Sequence, residues 1–107
     1  MLLGRYSISH HAMVQYNDRV EFKHGDSIKK SIRYDLRTLN IKYIVRTVED
    51  GEYKTHVFTK GFKEFVFVKN KQGFLNLKTV IKRNRDETIK AYNKLLKNKK
   101  TPEKLSC

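Results

Sequence analysis

The hydrophobic pattern of the chain changes period near residue 40 and changes back near residue 84. Outside these bounds apolar residues recur at helical spacing; between them they alternate with polar ones at the spacing of strands. Ser9 is a good N-cap, and behind it Ala12, Met13, Tyr16 and Val20 fall on one side of a predicted first helix. Its other side carries a polar stripe of His11, Gln15 and Arg19, spaced i, i+4 and i+8. Gly25 breaks the chain, and Asp26 is placed to cap a second helix. There Ile28, Ile32, Leu36 and Leu39 form the apolar stripe while Lys29, Lys30, Arg33 and Arg37 face outward.

From Ile41 onward β-branched and aromatic residues become frequent, and four strands are predicted over 41–48, 53–59, 63–69 and 74–82. Asp50-Gly51 is a strong hairpin signal, Lys60-Gly61 makes a second turn, and Asn70 to Gly73 makes a third. Asn84, with Glu87 three residues on, has the spacing of a capping box and opens a third helix, whose Ile89, Tyr92 and Leu96 are expected to pack onto the sheet. Beyond Leu96 the apolar period is lost and the only proline appears. The expected architecture is therefore α+β: two N-terminal helices, a four-stranded antiparallel meander and a C-terminal helix, in one domain over 1–97, with a basic flexible tail over 98–107.

Composition adds a partner to this outline. The 107 residues suit one domain, and 38% hydrophobic with 11% aromatic residues suffices for a packed core. Lys and Arg number 24 against 11 Asp and Glu, a formal charge of +13, so a polyanion such as RNA or another nucleic acid is the expected partner. A solvated surface from a Lys-rich proteome is the plainer account of the same charge. Cys107, the last residue, is the only cysteine, which rules out an intrachain disulfide and fits a reducing compartment. Met1 to Gly4 is too short for a signal-peptide core, and no run approaches the roughly eighteen apolar residues of a membrane span. A cytoplasmic protein without membrane partners is expected. Frequent Lys and Asn suggest an AT-rich bacterial or phage genome.

Most enzyme signatures are absent. His10 and His11 are adjacent and point about 100° apart on a helix, so they do not converge on a metal; neither metal nor cofactor is expected. The sequence contains no phosphate-binding Gly-rich loop, no Gly-x-Ser-x-Gly elbow and no cysteine nucleophile beside a base. RNA makes one reaction easy, because its 2′-hydroxyl attacks the neighbouring phosphate and the protein need supply only a proton acceptor, a proton donor and positive charge. Histidine fills either proton role, and Arg or Lys stabilises the phosphorane. His11, Arg19 and His56 are suitable types for this chemistry, with Arg19, Lys54, Lys78, Lys82 and Arg83 as candidate phosphate contacts. His56 shares a strand face with Lys54 and Phe58, and Lys78 and Thr79 take opposite faces of the fourth strand. Each has a plainer account: His11 as a surface group near a helix start, Arg19 as a partner for Glu64, and His56 as a partly covered strand residue. Phe65, Phe67, Tyr43 and Tyr53 offer rings for base stacking, but in a sheet covered by helices most such rings belong to the core.

Ser9-His10-His11-Ala12, followed by Gln15 and Arg19, resembles the opening helix of small bacterial and phage proteins with the pattern Ser-x-His-Ala-x-x-Arg-x-x-x-Arg. A second short helix and a meander ending in Leu77-Lys78-Thr79-Val80-Ile81 extend the likeness over about residues 6–82. These proteins are grouped with the barnase, EndoU, colicin and RelE (BECR) fold, many of whose members are metal-independent ribonucleases and toxin-system mRNA cleavers. The resemblance implies that His11 is the motif histidine, Arg19 the second motif arginine and Thr79 the polar residue of the last core strand. Gln15 stands where the pattern has its first arginine, which removes one phosphate-binding group. Two functions follow as expectations. One is a metal-independent endoribonuclease of toxin or phage-effector type, cleaving RNA by 2′-hydroxyl attack and paired with an antitoxin. The other is a non-catalytic phage or mobile-element protein that binds nucleic acid, or that inhibits or regulates a host protein.

Overall fold

The computed structural model describes residues 5–19 and 28–98. A short strand β1 (Tyr6–Ile8) leads into α1 (His10–Arg19); α2 (Ile28–Asp35) and a 3-10 turn (Thr38–Asn40) precede β2 (Ile41–Glu49), β3 (Glu52–Thr59), β4 (Lys63–Lys69) and β5 (Leu75–Lys82), and α3 (Arg85–Asn98) follows. The fold is α+β, with three helices on a five-stranded sheet of order β1-β5-β4-β3-β2.

The four predicted strands form the antiparallel meander. The sheet differs from expectation in β1, which pairs parallel to β5 through Tyr6↔Leu75 and Ile8↔Leu77 and makes the sheet mixed. Three residues are too few to display a period, so the pairing is set by the partner strand and not by a local pattern.

Local chemistry explains most element ends. Ser9 caps α1, its Oγ accepting the Ala12 N–H at 3.1 Å. Asp50 and Gly51 both have positive φ, 52° and 79°, as the tight hairpin between β2 and β3 requires. The Asn70 side chain accepts from the Gln72 and Phe74 N–H groups, which shapes the β4–β5 turn. Asn84 and Glu87 form the reciprocal capping box, at 2.8 and 3.0 Å.

The alternation of the strands gives the sheet two distinct faces. Against one face, Ala12 and Tyr16 of α1 and Ile32 of α2 join Leu36, Val57, Phe65, Phe67, Leu77 and Val80 in the main core. Leu77 and Val80 lie three residues apart yet share this face because β5 bulges between them: Val66 pairs with Thr79, and Phe67 with Leu77. Asp35 ties the helices to the sheet, accepting from the Tyr16 hydroxyl at 2.8 Å and the Lys63 ammonium at 3.0 Å. Against the other face lies α3, whose Tyr92 stacks on Tyr43 at 4.2 Å and meets Phe58 edge-on at 5.9 Å.

Three packing expectations are corrected. Leu39 belongs to the 3-10 turn and is exposed, since the helical period ends at Leu36. Ile89 and Leu96 also point to solvent; α3 instead buries Thr88 and turns Ala91, Tyr92 and Leu95 inward, a stripe that starts one residue earlier than expected. Val20, the Gly25 break and the Asp26 cap lie outside the described residues, as does the tail expected over 98–107 apart from Asn98, which ends α3. Among the described residues, no helix is long and apolar enough to cross a membrane.

Candidate acid–base site

The α3 face of the sheet holds a polar cluster where a second apolar layer would otherwise lie. Register places Val45, Val66 and His56 side by side on β2, β4 and β3, with Glu64 opposite Phe58 and Thr79 opposite Val66. Glu64 therefore occupies an inward position of β4 and is only 4% exposed; His56 is 7% exposed. A charge so deep needs partners, and it has them. Glu64 Oε2 lies 2.7 Å from His56 Nδ1, and its Oε1 accepts from the Arg83 guanidinium. The second ring nitrogen, Nε2, lies 3.0 Å from Glu49 Oε2. Glu49 also accepts from the Thr47 hydroxyl, and its Oε1 is 3.5 Å from the Lys54 ammonium.

Electrostatics set the protonation of this cluster. Burial pulls the His56 pKa down, but hydrogen bonds to Glu64 and Glu49 and the charges of both carboxylates outweigh it, and the net shift is upward. Burial pushes Glu49 up, and here the Thr47 and His56 hydrogen bonds with the Lys54 and His56 charges prevail, so the net shift is downward. Both shifts favour the charged forms, the imidazolium of His56 and the carboxylate of Glu49.

The cluster is open to solvent. It borders a hollow of about 410 Å³ between the sheet and α3, whose lining adds Lys94, Ala91 and Leu95 from the helix to Lys54, His56, Glu64, Thr79 and Arg83. Two bases, one acid and three cations around such a volume suit proton transfer on an anionic substrate. The site does not suit a metal: the two carboxylates take opposite ring nitrogens of His56 and do not converge. Among the described residues no His, Cys, Asp and Glu group is arranged to hold an ion.

Of the residues expected at a site, His56, Thr79, Lys54 and Arg83 come together in this hollow. His11 does not; it is exposed on the first turn of α1, against the opposite face of the sheet. Arg19 donates to the Val80 carbonyl at 2.8 Å, and Gln15 accepts from the Val80 N–H at 2.9 Å. The two side chains thus pair with the edge of β5 just where β1 has ended, doing for Val80 what a neighbouring strand does elsewhere. The partner of Glu64 is Arg83 and not Arg19. Lys78, on the bulge, and Lys82 are exposed and do not line the hollow.

Glu49, Glu64 and Lys94 are the residues that sequence reasoning missed. Glu49 reads as a turn residue beside Asp50-Gly51, and Lys94 as one of many helix cations. Glu64 did carry a signal, an acid at an inward position of a strand that otherwise alternates Phe and Val. Comparison of the chain with known families, curated proteins and solved structures yields no match.

Proposed function

We propose that this protein is a metal-independent endoribonuclease of toxin or phage-effector type, which cleaves RNA in the hollow beneath α3. The observation that carries the reading is His56, clamped between Glu64 and Glu49 at the floor of a solvent-open cavity with Lys54, Arg83 and Lys94 around it. The +13 charge and the resemblance of the first helix to the BECR group support it.

Each residue has a task that follows from its surroundings. Buried Glu64, held by Arg83, fixes the His56 ring through Nδ1 and keeps it protonated. Glu49 is the more exposed carboxylate, with a side chain 39% accessible against 5% for Glu64, and it gives way at Nε2 when a phosphodiester enters. The freed Glu49 takes the proton of the 2′-hydroxyl as that oxygen attacks phosphorus. His56 gives its Nε2 proton to the departing 5′-oxygen, and the P–O5′ bond breaks to leave a 2′,3′-cyclic phosphate and a 5′-hydroxyl. Lys54, Lys94 and Arg83 offset the charge of the phosphorane, and Thr79 is a hydrogen-bonding group on the same wall. In this assignment the acid–base work passes from His11 to His56 and Glu49, and Arg19 holds the edge of β5.

The test is incubation of purified protein with a mixed RNA pool, with and without EDTA, beside His56→Ala and His11→Ala. EDTA-resistant cleavage that leaves cyclic phosphate ends is expected, lowered about 10²- to 10⁴-fold by His56→Ala and retained in His11→Ala. Unchanged cleavage in a folded His56→Ala protein sinks the assignment. A second reading, a non-catalytic protein that binds nucleic acid, an antitoxin or a host protein, is favoured by the occupation of both His56 ring nitrogens, since a satisfied buried ion network is also a structural device. Stoichiometric binding without any RNA turnover decides for it.

A further inference from the structure

The face of the sheet that packs α1 and α2 is not covered along its whole length. At the end bearing the β2–β3 hairpin, a second and larger hollow of about 580 Å³ opens, lined by residues from four strands and the β4–β5 turn. Its apolar floor is Val48 and Leu75, and two rings stand over it with much of their surface in solvent: Tyr53 at 63% and Phe74 at 54% exposed. Arg5, Arg46 and Lys69 surround them. Among the described residues, none of these three cations is paired with a carboxylate, whereas Lys54, Lys63 and Arg83 all are.

Register shows that these groups share one surface. Tyr53 pairs with Val48, and Arg46 with Thr55, which in turn pairs with Phe67 of the main core; Lys69 pairs with Leu75, which pairs with Tyr6, the neighbour of Arg5. Cross-strand partners point to the same face, so Arg46, Val48, Tyr53, Lys69 and Leu75 project from a common surface of β2, β3, β4 and β5, and Arg5 and Phe74, just outside β1 and β5, complete the lining at its rim. Here the expectation that strand rings are core splits. Phe65 and Phe67 are fully buried beneath the helices, while Tyr53, one of the rings considered for stacking, lies beyond their reach together with Phe74.

Exposed aromatic rings beside a strand surface, with cations around them that no carboxylate pairs among the described residues, match single-stranded nucleic acid, whose bases stack on the rings and whose phosphates meet the cations. We propose that this groove is a second binding site, an exosite for single-stranded RNA separate from the His56 hollow. The proposal deepens the ribonuclease reading and rests on it for the choice of RNA as ligand. The two hollows have Thr47 and Lys54 in common, so only the β2–β3 pair separates them. A strand anchored on Tyr53 and Phe74 passes the hairpin edge to reach His56. A duplex has its bases stacked internally and offers no free ring faces, so the groove discriminates against it.

The experiment measures fluorescence anisotropy of a labelled single-stranded 2′-O-methyl RNA twelve-mer, which has no free 2′-hydroxyl and is not cut, against its duplex form. Expected is preference for the single strand, weakened about tenfold for each ring removed in Tyr53→Ala and Phe74→Ala, with circular dichroism unchanged. Arg46→Ala with Lys69→Ala is expected to lower the slope of log affinity against log salt by about 1.4, the loss of two phosphate contacts to a single strand. Leu39→Ala, exposed on the 3-10 turn and outside both hollows, is expected to bind the twelve-mer as wild type does. Equal binding by wild type and the Tyr53→Ala, Phe74→Ala double variant, equal affinity for duplex, or no binding at all overturns the exosite. None of these outcomes bears on cleavage by His56, which is read from cyclic phosphate ends on short RNA too small to span both hollows.

Discussion

The two faces of the sheet use the same alternation for opposite ends. Under α1 and α2, inward positions carry Val57, Phe65, Phe67, Leu77 and Val80 with Thr55 and Thr59 between them, and the surface removed from water there is mainly apolar. Under α3, the inward positions of the same strands carry Val45, Phe58, Val66 and Ile81 mixed with Thr47, His56, Glu64 and Thr79. The first face gains stability from burial, at about 25 cal/mol per Å² of apolar area. The second spends inward positions on groups that must be desolvated and then paired, which contributes little to net stability. Burying Glu64 and His56 adds little to net stability, and this difference between the faces is the observation on which the proposed site beneath α3 rests.

Removing one residue from each face tests this contrast. Phe65→Ala, on the helix-pair face, is expected to cost about 4 kcal/mol of stability and to leave the catalytic rate per folded molecule unchanged. Glu64→Gln, on the α3 face, keeps the size of the side chain and is expected to cost about 2 kcal/mol by weakening the ties to His56 and Arg83, while cleavage falls much further than stability. Urea unfolding followed by circular dichroism, with cleavage assayed on the same samples, separates the two effects. The pH dependence sharpens them. The His56 pKa is raised in the folded protein, so its contribution is full below its ordinary value of 6.5 and is lost as pH rises through the folded value. The Glu49 pKa is lowered, so its contribution is present above 4.5 and is lost as pH falls through the folded value. The cluster thus supports the fold best between those two values, and in Glu64→Gln the alkaline decline is expected to flatten. An unaltered pH profile in that variant would show that the cluster does not titrate as a unit.

The edge of the sheet provides a smaller test. Arg19→Ala leaves the Val80 carbonyl without its charged donor, and about 1–2 kcal/mol of stability is expected to be lost. Cleavage per folded molecule is expected to persist, because the Arg19 guanidinium is spent on the backbone. Abolished cleavage in a stable Arg19→Ala protein would return this residue to the catalytic set.

Much of this was legible in the chain, and what was not has identifiable causes. The three turns of the meander carry their signatures in Asp50-Gly51, Lys60-Gly61 and Asn70 to Gly73, and the Asn84–Glu87 spacing marks the start of α3. Strand β1 stayed hidden because a three-residue parallel partner has no local pattern. Helical spacing of apolar residues points Leu39, Ile89 and Leu96 inward, but the helix ends before Leu39 and the stripe of α3 is set by Thr88 and Ala91, small residues that an apolar pattern passes over. The site was half visible: His56, Lys54, Thr79 and Arg83 could be placed by type and parity, but Glu49 and Glu64 become partners of His56 only through a register that a single strand does not reveal. Gln15 and Arg19 show the reverse case. Their i, i+4 spacing is real, and it serves the N–H and C=O of one residue, Val80, at the β5 edge.

The smallest expected effect concerns the lid of the hollow. The Asn84 side chain accepts the Glu87 N–H, and Glu87 returns to the Asn84 N–H, so two donors at the start of α3 are satisfied at once. Asn84→Ala removes one of these bonds and is expected to cost about 1 kcal/mol. Both groups are exposed and lie outside the hollow, so no charge near His56 changes. Yet α3 supplies Ala91, Lys94 and Leu95 to the wall opposite the sheet, and loosening its first turn leaves the floor of the site intact while making its cover less ordered. The variant is therefore expected to raise KM for RNA a few-fold with kcat held, since Lys94 loses order while the His56–Glu49 pair does not. A fall in kcat at constant KM would mean that α3 sets the geometry of the acid–base pair itself, and would move the helix from covering the site to building it.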